Sequence, residues 1–181
     1  TCDATDFDSV EETINNASEQ MGGITGAVNL VGSILIKPPH LVDQKLWKET
    51  IDTNLTSGFA LVRSAGQKMA KNDGGSIVLM TTVAARVGLP NHEPIAAAKA
   101  GLIGLAQASA ASLAIRGVRV NCVAPGLTRT PLSKPIVQNE ASEKASIAMH
   151  PLGRLGESRD IARMIMTLLD PENDWITGQV F

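Results

Sequence analysis

Short runs of small and β-branched residues alternate along this chain with longer stretches in which apolar positions recur every three or four residues. The first such stretch predicts a helix over residues 7–20. Asp6 or Asp8 is placed to cap it, Glu11 and Glu12 suit its early turns, and Gly22 and Gly23 end it. The run GAVNLVG, residues 26–32, predicts a short buried strand. A connecting segment, SILIKPPHLVDQKLWKET, leads into a long helix over about residues 46–69, with Trp47, Ile51, Leu55, Phe59, Val62 and Met69 at helical spacing.

Asp73, Gly74 and Gly75 turn the chain into a strand over residues 76–80, and a second long helix is expected over residues 93–115. Its Ala97, Ala98, Gly101, Gly104, Ala108 and Ala111 predict close helix packing. A strand over residues 118–123 follows, then a helical flap of mixed polarity over residues 133–149. A last helix over residues 158–169 starts at Ser158, Arg159 and Asp160, and Pro171, Asp174 and Trp175 mark its exit.

Strands alternating with helices, without repeats or low-complexity linkers, predict an α/β fold: a doubly wound parallel sheet covered on both faces. With 181 residues, 44% of them hydrophobic, the chain fits one domain with a packed core. Sixteen basic against eighteen acidic residues leave no basic stripe, which argues against a nucleic-acid partner. No apolar run approaches the roughly 18 residues of a membrane span. Cys2 and Cys122 lie outside any Cys-x-x-Cys pattern and are expected as buried thiols in strands of a reducing compartment, cytoplasm or an organellar matrix or stroma. No three ligands show the spacing of a metal site.

Six features in order carry a family resemblance. They are CDATD at residues 2–6, Asn29-Leu30-Val31-Gly32, Asn54 in DTNL, GSIVLMTT ending at Thr82, Lys99, and Pro125-Gly126 with Thr130 four residues on. Together they resemble the short-chain dehydrogenase/reductase family. The resemblance implies a Rossmann-type sheet, an NAD or NADP cofactor and a small-molecule carbonyl or alcohol substrate. It also implies a homo-oligomer assembled through the helices at residues 46–69 and 93–115.

In that family a Tyr-x-x-x-Lys pair opens the second long helix, thirteen residues after a catalytic serine. Here Thr82 takes the serine place and Lys99 the lysine place, but Ile95 stands thirteen residues after Thr82, and the chain has no tyrosine at all. The tyrosine moves a proton on the substrate oxygen while the lysine lowers its pKa and holds the nicotinamide ribose. Removing a general acid costs about 10²- to 10⁴-fold in rate. Thr82 keeps a hydroxyl for the substrate oxygen, though it also suits a strand end as Thr81 does. Asn54 matches the asparagine that helps relay protons, or makes a structural hydrogen bond.

By the same resemblance, Asp3 faces the adenine, while Asn29, Gly32, Lys99, Pro125, Gly126 and Thr130 hold the cofactor. Leu30 and Val31 depart from the usual asparagine and alanine. His92, three residues before Ile95 and seven before Lys99, shares their face if the helix has begun there, and is a candidate substitute acid with Glu93 beside it. Pro94 also allows His92 to be a loop or cap residue. His40 and His150 read as loop residues, His150 at the end of the flap.

The family's first strand, its Gly-rich turn, first helix and second strand would lie before Thr1, and its seventh strand would start after Phe181. The expectation is therefore a single domain over residues 1–181, incomplete at both ends. Two activities follow: a divergent NAD(P)-dependent oxidoreductase drawing its proton from water, His92 or the substrate, or an inactive relative kept as a structural or nucleotide-sensing subunit.

Overall fold

The computed structural model describes residues 1–181, arranged about a three-stranded parallel sheet. Helix α1 (Phe7–Met21) starts at Asp6, whose carboxylate accepts the Ser9 N–H at 2.7 Å, and stops at Gly22, left-handed at φ 71°. Strand β1 (Gly26–Asn29) pairs with β2 (Gly75–Met80), and β2 with β3 (Val118–Val123). Parallel neighbours need long crossovers, and helices supply them. From β1 to β2 the chain runs through α2 (Gln44–Ile51), a π turn at Asp52–Thr56 and α3 (Ser57–Lys71). From β2 to β3 it passes a short α4 (Ala84–Val87) and the long α5 (Glu93–Leu113). After β3 come β4 (Thr128–Arg129), α6 (Lys134–Val137), α7 (Glu140–Ala148), β5 (Gly156–Glu157), paired with β4, and α8 (Ser158–Leu169).

Alternation along each strand sends side chains to two cores. Ile77, Leu79, Val118, Val120 and Cys122 pack beneath α3 and α5, against Val62, Ala65, Met69, Leu102, Ala106 and Ala110. Val78 and Val123 pack on the other face against Ile165 and Leu168 of α8. The doubly wound architecture is thus the one the alternation predicts. Helices α3 and α5 approach closely because a Cβ on Gly58 would come within 2.5 Å of Leu102 Cδ2.

Several expectations need correction. Residues 2–6 form a turn rather than a strand end, and Cys2 is exposed; only Cys122 is a buried thiol. Strand β1 stops at Asn29, so Leu30 and Val31 are exposed loop residues beside its unpaired outer edge. The long helix from Gln44 to Lys71 contains a π turn that periodicity did not signal. A π turn takes more residues than an α turn and rotates the faces on its two sides relative to each other, which leaves Trp47 and Phe59 half-exposed. Phe59 instead meets Phe7 of α1, ring centroids 5.6 Å apart.

Helix α5 with its final turn, Glu93–Arg116, is long and apolar enough by composition to cross a membrane, against the expectation of no such run. Its many alanines each add a little hydropathy, and in this fold the helix covers the sheet through Ala98, Leu102, Ala106 and Ala110. Residues 178–181 already run parallel to β3, with Gln179 O accepting from Cys122 N at 2.8 Å and Phe181 O from Ala124 N at 2.7 Å. The strand expected beyond Phe181 has therefore begun. Buried Arg119 and Asn121 of β3 secure that return, donating to the carbonyls of Leu168, Asp170 and Ile176.

Truncating Leu102 to alanine removes the side chain wedged between α3 and α5, and is expected to lower the unfolding free energy by about 3 kcal/mol. Met166→Ala on exposed α8 surface should shift it by less than about 0.5 kcal/mol. Denaturant titration of both variants checks the difference.

Candidate active site

The polar residues singled out in the sequence gather mainly at the carboxyl ends of the strands, where open α/β sheets bind ligands. At the end of β1, buried Asn29 accepts the Val31 N–H at 2.8 Å and donates to Ser57 Oγ at 3.1 Å. Ser57 in turn donates to Thr53 O at 2.7 Å, so this chain of bonds locks β1 to the start of α3. Asn29 is fully committed to holding the sheet centre.

Asn54 lies in the π turn and is only 1% exposed. Its amide donates to Ser33 Oγ at 2.8 Å and Thr50 O at 3.0 Å, and its Oδ1 accepts the Ser33 N–H at 2.9 Å. The π turn thus carries an asparagine that fastens the loop after β1. Gly32 sits beside it: a Cβ there would lie 3.1 Å from Asn54 Oδ1 and 3.3 Å from Lys99 Nζ. Glycine keeps that space clear.

Lys99, on the second turn of α5, is 7% exposed, and its ammonium donates to Met80 O at 2.8 Å. That carbonyl is the last of β2. Burial pushes the Lys99 pKa down from 10.5 to about 8, because a charged ammonium loses hydration there. The Cys122 thiol across on β3 is pushed up to about 12, also by burial, and stays neutral. Thr81 completes the mount by donating to Lys99 O at 2.7 Å. Sequence reasoning treated Thr81 only as a strand-end residue; its adjacency to Thr82 gave no sign of which one grips the helix.

Thr82 itself is half-buried and accepts the Ala84 N–H at 3.3 Å, which leaves its O–H free to donate. Ile95 is buried one turn before Lys99, 6% exposed, with no polar atom to offer. His92 is the helix cap rather than a helical residue, at φ −105° and ψ 10°, and its Nδ1 bonds Pro90 O at 2.8 Å. A shared face with Ile95 and Lys99 therefore does not follow.

On the far side, Pro125 O accepts the Val83 N–H at 3.1 Å, joining the Pro-Gly loop to the end of β2. The imidazole of His150 fills the space a side chain on Gly126 would need, with its Nδ1 bonded to Ser146 O at 2.7 Å. Thr130 closes a tight turn with buried Ser133, donating its N–H to Ser133 Oγ at 3.0 Å. Asp3 is exposed before α1. Its carboxylate accepts both the hydroxyl and the N–H of Thr5, which hold it below the usual carboxylate range. Gly32, Asn54 and Lys99 are thus brought together, while the hydrogen bonds of Asp3, His92 and Thr130 run elsewhere. No three His, Cys, Asp or Glu side chains gather as a metal site.

The largest cavity, about 670 Å³, opens at the opposite end of the sheet between Gly74, Gly75, Gly117 and Trp175. Its one buried cation, Arg119, already donates to three carbonyls. The uncommitted chemistry lies at the Lys99 end.

A family model described as enoyl-(acyl carrier protein) reductase matches residues 1–181. The 3-oxoacyl-(acyl-carrier-protein) reductase FabG of Vibrio cholerae is 34% identical over 175 residues, which are 97% of this chain and 71% of that protein. A short-chain type dehydrogenase/reductase from Mycobacterium ulcerans matches with a TM-score of 0.93 at 31% identity, over 99% of this chain and 66% of that one. ElxO with NADP bound matches with a TM-score of 0.92 at 30% identity, over 99% of this chain and 73% of that one. A tyrosine-to-phenylalanine variant of ElxO has been solved with NADPH bound. With a family model matched from end to end and relatives above 30% identity, this chain belongs to the short-chain dehydrogenase/reductase family.

Proposed function

We propose that the protein is an NAD(P)-dependent oxidoreductase acting on a small carbonyl or alcohol. The observation that carries this reading is the meeting of Lys99, Asn54 and the bare face of Gly32 at the carboxyl end of the sheet. An ammonium with one protein acceptor has two N–H groups left, and these suit the paired hydroxyls of a ribose. Gly32 leaves room for a ligand to approach the backbone. Nicotinamide, when bound, supplies or takes the hydride.

Other residues have supporting roles in this reading. The free hydroxyl of Thr82 donates to the substrate oxygen, Pro125 and Gly126 flank the ring, and Thr130 steadies the loop beyond. Asn29 and Asn54 hold the two backbone segments in place, and Asp3 is the group assigned to the adenine. The exposed small residues of α5, Ala97, Ala100, Gly104, Ala108 and Ala111, suit a second copy of the chain packing there. NADP in ElxO, and NADPH in its phenylalanine variant, support cofactor binding in this fold. The rival reading, an inactive subunit, draws on one observation, the buried apolar Ile95 in the place of the proton donor.

Titrating the full-length protein with NADH and NADPH, followed by nicotinamide fluorescence, separates the two. Micromolar binding is expected for one of them, weakened at least tenfold by Gly32→Val, whose branched side chain would enter the space beside Lys99 Nζ. No binding to either nucleotide would favour the inactive subunit. Turnover of an activated ketone should survive His92→Ala, and a loss beyond tenfold would return the proton-donor role to that ring.

A buried ammonium is retained at the expense of stability. The folded pKa lies below the unfolded one, so the unfolded chain holds more protons between about pH 8 and 10.5 and stability rises with pH across that window. Below pH 8 the full penalty applies, on the order of 3 kcal/mol. Lys99→Met should therefore stabilise the protein at pH 7, with an advantage that shrinks as pH climbs from 8 to 10.5. Urea titrations across that range measure it.

A further inference from the structure

We infer that the Lys99 ammonium itself hands the proton to the carbonyl oxygen during reduction, an inference that rests on the oxidoreductase reading. Hydride from a reduced nicotinamide adds to the carbonyl carbon, and the π pair moves to oxygen. One N–H bond of Lys99 breaks as the new O–H bond forms, leaving a neutral amine that regains its proton from water. In the alcohol-oxidising direction the neutral amine takes the proton back.

Elimination narrows the field. The chain has no tyrosine, and Ile95 is buried and apolar. His92 lies outside the helix, tied by Nδ1 to Pro90 O. The Cys122 thiol is in the core, donating towards Leu102 O at 3.6 Å. A threonine hydroxyl such as that of Thr82 donates a hydrogen bond but does not release its proton near neutral pH. His150 is the one rival at the rim, with its Nε2 edge packed on the Gly126 backbone.

Lys99 meets the requirements. Its Nζ has a single protein acceptor, Met80 O, and lies against the clear face of Gly32 beside Asn54. Of the groups packed around it, Asn54 and Thr81 are neutral, and Cys122 on β3 is the one titratable side chain that acts on its charge. Burial lowers its affinity for the proton to a pKa of about 8, so it is protonated at pH 7 yet gives up the proton far more readily than an exposed lysine. A general acid works best with a pKa near the working pH.

The test uses the full-length protein with NADPH and an activated ketone. The reduction rate constant kcat should be level below pH 8 and fall about tenfold per pH unit above it, because the protonated form is the donor. Lys99→Arg keeps the cation and its hydrogen bonds but cannot release a proton in this range. NADPH affinity should stay within about threefold in this variant, while kcat falls at least 100-fold and the pH limb disappears. With ε-13C-labelled lysine, one resonance should titrate near 8 and be missing in Lys99→Met. An arginine variant that keeps kcat and the limb overturns the inference, as does a Lys99 resonance titrating at the ordinary lysine value. A limb that vanishes in His150→Gln instead gives the role to His150. Loss of the limb with NADPH still bound sinks this inference alone, whereas failure to bind either nucleotide removes the reading beneath it.

Discussion

One buried charge organises the functional end of this molecule. Lys99 Nζ gives up most of its hydration for a single carbonyl, Met80 O, at 2.8 Å. That bond holds only if β2 ends where it does and α5 lies across it, and Thr81 fixes the second condition by bonding Lys99 O at 2.7 Å. Two consecutive residues at the end of one strand thus hold both the head and the backbone of the same lysine. The sheet below, with Ile77, Leu79, Val118 and Val120 wholly buried, is the rigid base for this grip.

A second set of bonds faces it. Asn29 ties β1 to Ser57, and Asn54 ties the following loop to the π turn, so the backbone around Gly32 is held from both sides. The π turn has a local energetic logic: its wider turn carries Asn54 inward among buried neighbours, where its amide and carbonyl are both satisfied. The space between Asn54 and Lys99 stays open because Gly32 brings no side chain into it.

The fold was largely legible in the sequence because its signals are local. Asp6 and Gly22 bound α1, small and β-branched runs mark β1, β2 and β3, and helical spacing marks α5 and α8. What was not legible depends on partners distant in sequence. Nothing in Asp52–Thr56 announces a π turn, and the rotation it introduces is why Trp47 and Phe59 escaped the core that a continuous α period assigned them. Thr81 and Thr82 are equivalent by propensity; only the position of Lys99, eighteen residues on, separates the helix grip from the free hydroxyl. His92 shows the converse: an attractive interval from Lys99 lost its meaning when the helix began one residue later.

Ile95 and Lys99 are best understood together. An aliphatic side chain one turn before the lysine leaves the ammonium with no polar neighbour on that side of the helix, and hydration is the only other source of stabilisation for the charge. Substituting a polar residue there would soften the desolvation that draws the pKa to about 8. The residue that deprives the site of a phenolic acid therefore also contributes to making the lysine a stronger one. Loss of one proton donor and strengthening of another are, on this geometry, consequences of the same apolar turn.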